Sequence, residues 1–286
     1  MKVLREGDGG EEDVDFFKNW LRARHAQTAR TGKKGAENQD YERIGSEFHR
    51  WVRDKKDDLG LNQSADYVRF VRKDLDFYVR QSLRIRNARR TLTEGLEAIR
   101  FNEDRGFTQQ TQVLLASLHP DDKQSDLDCK LALVADYLDI WLARRIWNGR
   151  TIAQSATRYE MFALGKELRE LSILEMSKLL RQKLDDEPET FAKNPELRLH
   201  RQNYRHVRHI LARLSHWVDE RCGLPTRFDD FISSTIARPF EVEHLWSSRY
   251  ADFAKWFTAE YEFDAARNRI GGLVLLQRGT NQSLNA

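Results

Sequence analysis

The sequence contains Arg238-Pro-Phe-Glu-Val-Glu-His-Leu-Trp246 and, later, Arg267-Asn-Arg-Ile-Gly-Gly-Leu-Val-Leu-Leu-Gln-Arg-Gly-Thr-Asn281. These two stretches differ in their pattern of apolar and polar residues from the rest of the chain. Residues 240–243 alternate apolar and charged side chains after a proline, which is typical of an edge strand. The apolar run 270–276 predicts a second strand. Thr280 or Asn281 is suited to capping a helix that follows. We therefore predict a strand–strand–helix (ββα) motif over 236–286.

Upstream of this motif, apolar residues recur at the spacing of a helix face. The predicted helices cover about 12–30, 38–58, 64–86, 89–101, 109–118, 127–147, 157–184 and 197–221. No strand-like alternation occurs before residue 238. The sequence therefore predicts a mainly α fold, in which a flexible tail (1–11) precedes a multi-helix domain (12–235) and the C-terminal motif (236–286).

Composition is typical of a helix-rich protein of the cytoplasm. Of the 286 residues, 33% are charged and 40% are hydrophobic, and the net charge of +3 permits an anionic partner. The two cysteines, Cys129 and Cys222, are too few for a disulfide framework or a cysteine-based zinc site. The N-terminal residues lack the apolar core of a signal peptide. No apolar run approaches the ~20 residues that span a bilayer, so we expect no membrane association.

Two of the predicted helices are notably basic. The residues concerned are Arg69, Arg72, Lys73, Arg80, Arg84, Arg86, Arg89 and Arg90 in the first, and Arg198, Arg201, Arg205, Arg208 and Arg213 in the second. Arg201, Arg205 and Arg208 recur at i, i+4 and i+7 on one helix face. Such a stripe is usually a solvated surface, and the alternative, a phosphate contact, is strengthened here because this helix leads into the C-terminal motif.

The C-terminal motif has the residue types of a hydrolytic site. A neutral His244 imidazole could take a proton from a water molecule that attacks a phosphodiester. Glu243 at the strand end and the amide oxygen of Asn281 could bind one hard cation, because Mg²⁺ prefers a few protein oxygens plus water and phosphate. That ion would stabilise the charge that develops on the phosphate and the leaving oxygen.

These residues resemble the HNH (ββα-metal) nuclease superfamily. The chain looks most like the C-terminal nuclease domain of Gmr-type, modification-dependent (type IV) restriction proteins. Three separated blocks match in order: Glu241-Val-Glu-His-Leu245, Arg267-Asn-Arg-Ile-Gly-Gly-Leu-Val-Leu-Leu276, and Asn281. The segments 16–20 and 44–51 are similar to the helical region that links a ParB-like NTPase domain to the nuclease in such proteins.

The resemblance implies a metal-dependent DNA endonuclease of an anti-phage defence system. His244 is then the general base, and Asn268 braces the loop that holds it. Glu243 and Asn281 are ligands of one Mg²⁺ or Mn²⁺ ion. DNA is the expected substrate and a ParB-like NTPase domain or subunit the expected partner. Phosphate contact by Arg267, Arg269 and Arg278 is about as well favoured as plain solvent exposure.

The chain also departs from the family pattern. Gly272 stands where many HNH proteins have an asparagine, and Trp246 and Ser247 replace a proline. Neither the NTPase motifs nor a lysine-containing C-terminal tail is present. We therefore expect a C-terminal fragment or one half of a split system, with a truncated last helix. The alternative is a non-catalytic helical subunit that docks a separate NTPase and has a degenerate HNH end.

Overall fold

The fold is mainly helical, with a small two-stranded antiparallel sheet near the C-terminal end. A computed structural model describes residues 11–30, 36–225 and 228–280. The predicted mainly α class is confirmed at this level. The complete ββα-metal motif stays a prediction, because the segment expected to begin its helix, 281–286, lies outside the described residues.

The chain divides into two compact units. The first comprises the described residues up to Leu142 together with Thr151–Glu187, and the second comprises Ala143–Arg150 together with the described residues from Pro188 onward. The described part of the predicted HNH-like segment, residues 236–280, therefore lies inside a larger unit. Among the helices of the described ranges, none has both the length and the apolar character needed to cross a membrane.

The first unit is an array of helices around one apolar core. Its helices are α1 (Glu11–Arg24), α2 (Asp40–Asp54), α3 (Ser64–Arg69), a π-helical turn (Phe70–Leu75), α4 (Asp76–Arg90), α5 (Glu97–Asp104), α6 (Gln110–Ala116), α7 (Gln124–Trp147, which belongs to this unit as far as Leu142), α8 (Gln154–Leu168) and α9 (Ile173–Asp186). Every residue of α6 is buried, as expected for a helix surrounded by others. Trp20 of α1 and Trp141 of α7 are fully buried anchors of this core.

The single helix predicted over 157–184 is in fact two helices, α8 and α9. The break lies at Glu170, a non-glycine residue with φ of +62°. Its neighbour Arg169 donates hydrogen bonds to the carbonyls of Arg22, Ala23 and Ala26. The last carbonyls of a helix need such donors from elsewhere, so the end of α1 determines where α8 stops. The side chain of Ser172 then caps α9.

The second unit packs two helices against the sheet. Its elements are α10 (Tyr204–Arg221), α11 (Phe228–Ile232), β1 (Phe240–His244), α12 (Glu260–Arg267) and β2 (Leu273–Gln277). Its buried apolar side chains include Leu197, Val207, Leu211, Phe228, Phe231, Phe240, Phe263, Leu273 and Leu275. The two strands pair from Phe240 opposite Gln277 to His244 opposite Leu273.

Two predicted boundaries in this unit differ from the structure. Strand β2 begins at Leu273, because Ile270–Gly272 form a short 3-10 turn. The helix predicted from Leu197 begins only at Tyr204, after a 3-10 turn at Arg201–Asn203. The residues before it are extended instead, because Arg198 forms an antiparallel bridge with Arg269.

Candidate active site

The candidate site is built around His244, the last residue of β1. Its half-buried side chain places Nε2 3.0 Å from Oδ1 of Asn268. The amide of Leu245, the next residue, donates to the carbonyl of Gly272 at 2.9 Å, which extends the strand pairing past the histidine. The end of β1, the end of α12 and the start of β2 therefore meet at this point.

The orientation of the Asn268 amide defines the histidine tautomer. Nδ2 of Asn268 donates to the carbonyl of Asp264 at 2.8 Å, one turn back in α12. Oδ1 is consequently the atom that faces His244, and since it can only accept, the proton lies on Nε2 of the imidazole. In the neutral ring Nδ1 then carries the lone pair, which is the state a general base requires.

The loop that carries Asn268 is fixed by an extended segment, Leu197–Leu199. The amide of Leu199 donates to the carbonyl of Asn268 at 2.8 Å, and that of Ile270 donates to the carbonyl of Leu197 at 3.0 Å. Glu196 pairs with both Arg198 and Arg269. Its hydrogen bond from Arg198, together with the charge of Arg269, holds the pKa of the Glu196 carboxyl below its ordinary value.

Glycine at position 272 has a steric reason. A Cβ atom there would lie 2.8 Å from the carbonyl oxygen of Arg267, a backbone atom, whereas one on Gly271 would meet nothing within 4 Å. The backbone after α12 therefore approaches the start of β2 too closely for a side chain. Glycine at position 272 is thus part of the packing that positions Asn268.

Aromatic side chains fill the segment between the two strands. The Trp246 ring stacks on Phe253 and Phe263, with centroid distances of 5.7 and 6.3 Å. Tyr250 and Phe257 also contact the buried ring of Phe263. Trp246 therefore anchors the chain just after His244.

The predicted metal ligands are placed only in part. Glu243 pairs with Val274, and since neighbouring residues of a strand alternate between faces, its side chain starts from the sheet face opposite that of His244. Asn281 lies outside the described residues. Within those that are described, no group of three or more histidine, cysteine, aspartate or glutamate side chains is placed to hold a metal ion. Glu243 has the donor type that Mg²⁺ or Mn²⁺ prefers, but the ligand set stays a prediction.

The arginines near the motif all have contacts within the protein. Nε of Arg267 donates to the carbonyl of Trp246 at 3.0 Å. Arg269 pairs with Glu196, and Nε of Arg278 is 2.8 Å from Oε1 of Glu241. Because the side chains of Arg269 and Arg278 remain 48% and 64% exposed, these pairs leave both cations accessible to solvent. Phosphate contact by Arg267, Arg269 and Arg278 stays a prediction.

The three arginines predicted on the basic helix differ in surroundings. Arg201 and Arg205 are exposed. Arg208 is half-buried, and its Nη2 donates to the carbonyls of Phe231 at 3.0 Å and Ser233 at 3.2 Å. It therefore supplies donors to the end of α11. A DNA contact by these three residues also remains a prediction.

The extended segment at Leu197–Leu199 was not identified from the sequence. Its signal is short: two leucines alternate with a charged residue in Asn194-Pro-Glu-Leu-Arg-Leu199, a strand-like pattern after a proline. Its partner, the loop at 268–270, is far away in the chain. Strand pairing across such a separation leaves no local trace in the sequence.

Comparisons with known proteins give no family for this chain. No model of a known protein family, no curated protein and no solved structure matches it.

Proposed function

We propose that this chain carries the nuclease site of a metal-dependent DNA endonuclease, which nicks or cleaves DNA in the cytoplasm as part of an anti-phage restriction system. The observation that carries the proposal is the 3.0 Å hydrogen bond between Nε2 of His244 and Oδ1 of Asn268. It supports a general-base role, because with Nε2 donating to Oδ1 the neutral imidazole has its lone pair on Nδ1. The three-block resemblance to HNH nucleases supplies the reaction class.

In this mechanism Nδ1 of His244 takes a proton from a water molecule. The water oxygen forms a bond to phosphorus, and the bond from phosphorus to the leaving oxygen of the phosphodiester breaks. Oδ1 of Asn268 keeps its hydrogen bond from Nε2, so the ring stays oriented when it becomes an imidazolium. Bound Mg²⁺ or Mn²⁺ would supply charge stabilisation at the phosphate, with Glu243 and Asn281 as its protein ligands.

The test is a plasmid-nicking assay on the full chain with Mg²⁺ or Mn²⁺. We expect His244→Ala to reduce the rate by about 10²- to 10⁴-fold, the usual contribution of a general base. Removal of the divalent ion by EDTA is expected to abolish nicking. The matched control is His200→Ala, an exposed histidine of the same unit, which should leave the rate unchanged. Nicking that persists at the wild-type rate in His244→Ala would refute the assignment.

A second candidate is a non-catalytic subunit that docks a separate ParB-like NTPase. The observation that favours it is a set of exposed apolar side chains on α10: Leu214, Trp217 and Val218 are each about half exposed. Exposed apolar patches of this kind often mark protein interfaces. The same assay separates the two candidates, because a docking subunit leaves the plasmid intact with either metal.

A further inference from the structure

We propose that the outer edge of β2 binds an extended peptide segment of a partner protein, which adds to the sheet as a third strand. The segment has alternating apolar residues and a lysine or arginine beside them. Its site is an apolar groove of about 520 Å³ between β2 and α10. Neither His244 nor Asn268 lines this groove, so the proposal goes beyond the nuclease function and does not rest on it.

The pairing of the two strands shows which backbone groups of β2 point away from β1. The amide of Leu245 donates to the carbonyl of Gly272 at 2.9 Å, and in an antiparallel pair such bonded positions alternate with unbonded ones. Val274 is therefore bonded to β1, whereas Leu275 and Gln277 direct their amides and carbonyls outward. Among the described residues, none accepts a hydrogen bond from these two amides. They are donors that a further strand can use.

The two edges of the sheet differ in protection. On the β1 side, the amide of Val242 donates to the hydroxyl of Tyr204 at 3.4 Å, and the strand carries the charges of Glu241 and Glu243. Strand β2, by contrast, reads Leu273-Val-Leu-Leu-Gln277 and contains neither a charged residue nor a proline. Charges and prolines are the usual means by which proteins prevent pairing at an exposed edge, so β2 is the edge that can accept a further strand.

The groove beside this edge is apolar. Leu211, Leu214 and Val218 of α10 line it together with Leu273 and Leu275 of β2. Leu214 and Val218 are 53% and 49% exposed, so much of their apolar surface is available to a ligand. Alternate side chains of a strand point to the same face, so every second residue of an added peptide would enter the groove. Apolar residues at those positions would bury this surface.

The dimensions of the groove fit a short strand. Along α10 the lining extends from Leu211 to Asp219, a distance of about 12 Å at the helical rise per residue. An extended chain covers that distance in about four residues, which is close to the five-residue length of β2. The amide of Leu273 donates to the carbonyl of Ile270, so the open part of the edge begins at the Leu273 carbonyl. A peptide of about five residues can therefore occupy the whole edge.

Asp219 determines the charge that the peptide should carry. It has the one charged side chain among the described residues that line the groove, and it is half-exposed. Among the described side chains none forms an ion pair with it. A lysine or arginine beside the apolar residues of the peptide would complement this carboxylate, which favours one register of binding.

The test titrates the full chain by calorimetry with the acetylated and amidated peptide Lys-Thr-Val-Thr-Val-Thr-Lys, whose two lysines allow either strand direction. We expect it to bind, and the same peptide N-methylated at its valines and threonines to bind at least about 10-fold more weakly, because several backbone hydrogen bonds are lost. Leu214→Ser should weaken binding by about 5-fold or more, since less apolar surface is buried. Asp219→Lys should weaken it by a similar factor of about 5-fold, and glutamates in place of the peptide lysines should restore binding to this variant.

The matched control is Trp217→Ser, which removes an apolar side chain of α10 that is also 53% exposed but does not line the groove. Its affinity for the peptide should equal that of the wild type. Hydrogen exchange measured by NMR gives the second readout. The peptide should slow exchange at the amides of Leu275 and Gln277 and leave those of Val274 and Leu276 unchanged, because the latter pair is already bonded to β1.

The proposal is overturned if the peptide does not bind, if the N-methylated peptide binds equally well, or if Trp217→Ser weakens binding as much as Leu214→Ser. Binding without slower exchange at Leu275 and Gln277 also overturns it, since a helix in the groove would give that result. A dimer of this chain paired through β2, which sedimentation would detect, is a further contrary outcome, because a second copy would then occupy the edge. Nicking is not a readout of this test, so its result stands apart from the nuclease proposal.

Discussion

At the scale of single residues, Asn268 determines which ring nitrogen of His244 carries the proton. Its amide joins two partners, the Asp264 carbonyl through Nδ2 and the imidazole through Oδ1. Reversal of the amide would set Oδ1 against the Asp264 carbonyl, which are two acceptors with no proton between them, so that carbonyl determines the orientation. A catalytic role therefore depends on the acceptor atom more than on the size of the side chain.

We predict that Asn268→Ala changes the tautomer of His244 and slows DNA nicking, whereas Asn268→Asp, which keeps an acceptor, loses less activity. The wild-type imidazole should be in the Nε2–H form, and the alanine variant should be a mixture of the two forms. Nitrogen-15 NMR of the histidine ring measures the tautomer directly. We expect a loss of about 10-fold or more in rate for the alanine variant.

Unfolding of the alanine variant would also slow nicking, so the tautomer is the decisive readout. The exposed His200 in the same spectrum serves as the internal control, because its Nδ1 lies 3.0 Å from Oε1 of Gln202 and its ring has no hydrogen bond with the Asn268 side chain. A pure Nε2–H form in Asn268→Ala would contradict the role assigned to the amide.

A role for Asn268 near the loop that holds His244 was expected only from the resemblance to HNH nucleases, and the direct hydrogen bond between the two side chains was not predicted. The fixing of Asn268 through Glu196 and Arg269 was not predicted either, since these two residues are 73 positions apart. The local sequence around Glu196 does not indicate a contact with Arg269, and the sequence around Arg269 does not indicate one with Glu196. The same limit applies to Arg208, whose carbonyl partners at Phe231 and Ser233 belong to another element.

At the scale of elements, the turn between α12 and β2 determines the geometry of the site. It passes from Arg267 through Asn268 to the 3-10 turn at Ile270–Gly272 and then into β2. The Gly272 carbonyl accepts the amide of Leu245, so the turn also holds the end of β1. A change in its backbone therefore moves His244 and Asn268 relative to each other.

We predict that Gly272→Ala destabilises the second unit by about 1–3 kcal/mol, the usual cost of an overpacked side chain, and lowers nicking activity. The added Cβ would lie 2.8 Å from the Arg267 carbonyl oxygen, and a backbone atom cannot move aside cheaply. The adjacent substitution Gly271→Ala is the matched control, since its Cβ meets nothing within 4 Å. Thermal unfolding and the plasmid assay measure the two effects. Equal stabilities of the two variants would contradict this account of the turn.

The positions of most helices could be predicted, because amphipathic spacing records which face of a segment is buried. The breaks between the helices were harder to predict from the sequence. The pattern of 157–184 runs without interruption through Glu170, and the break there follows from the donors that Arg169 gives to the end of α1. The start of α10 was misplaced for a similar reason, because Arg198 pairs with Arg269 in place of joining the helix. In both cases a tertiary contact overrides local propensity.

At the scale of the whole molecule, the chain forms two compact units, and the boundary is not a single point in the sequence. Ala143–Arg150, which includes the end of α7, belongs with the second unit although α7 begins in the first. The apolar pattern of α7 is continuous, so no local pattern assigns its last residues to another unit. The assignment follows from contacts: Nε1 of Trp147 donates to the Asn194 carbonyl at 2.6 Å, and Arg150 pairs with Glu189.

We predict that Asn194→Ala destabilises the second unit by about 1–2 kcal/mol and leaves the first unit unchanged. The Asn194 side chain donates to the carbonyl of Trp147 at 2.8 Å and accepts the amide of Glu196 at 3.3 Å, so its removal loosens both parts of that unit. Hydrogen exchange should become faster over residues 143–150 and 188–199, and exchange in α6 should stay as slow as in the wild type. Asn87→Ala, an exposed asparagine of α4, is the control and should change neither region. Equal loss of protection in α6 would mean that the two units unfold together, and the division of the chain would then have no energetic counterpart.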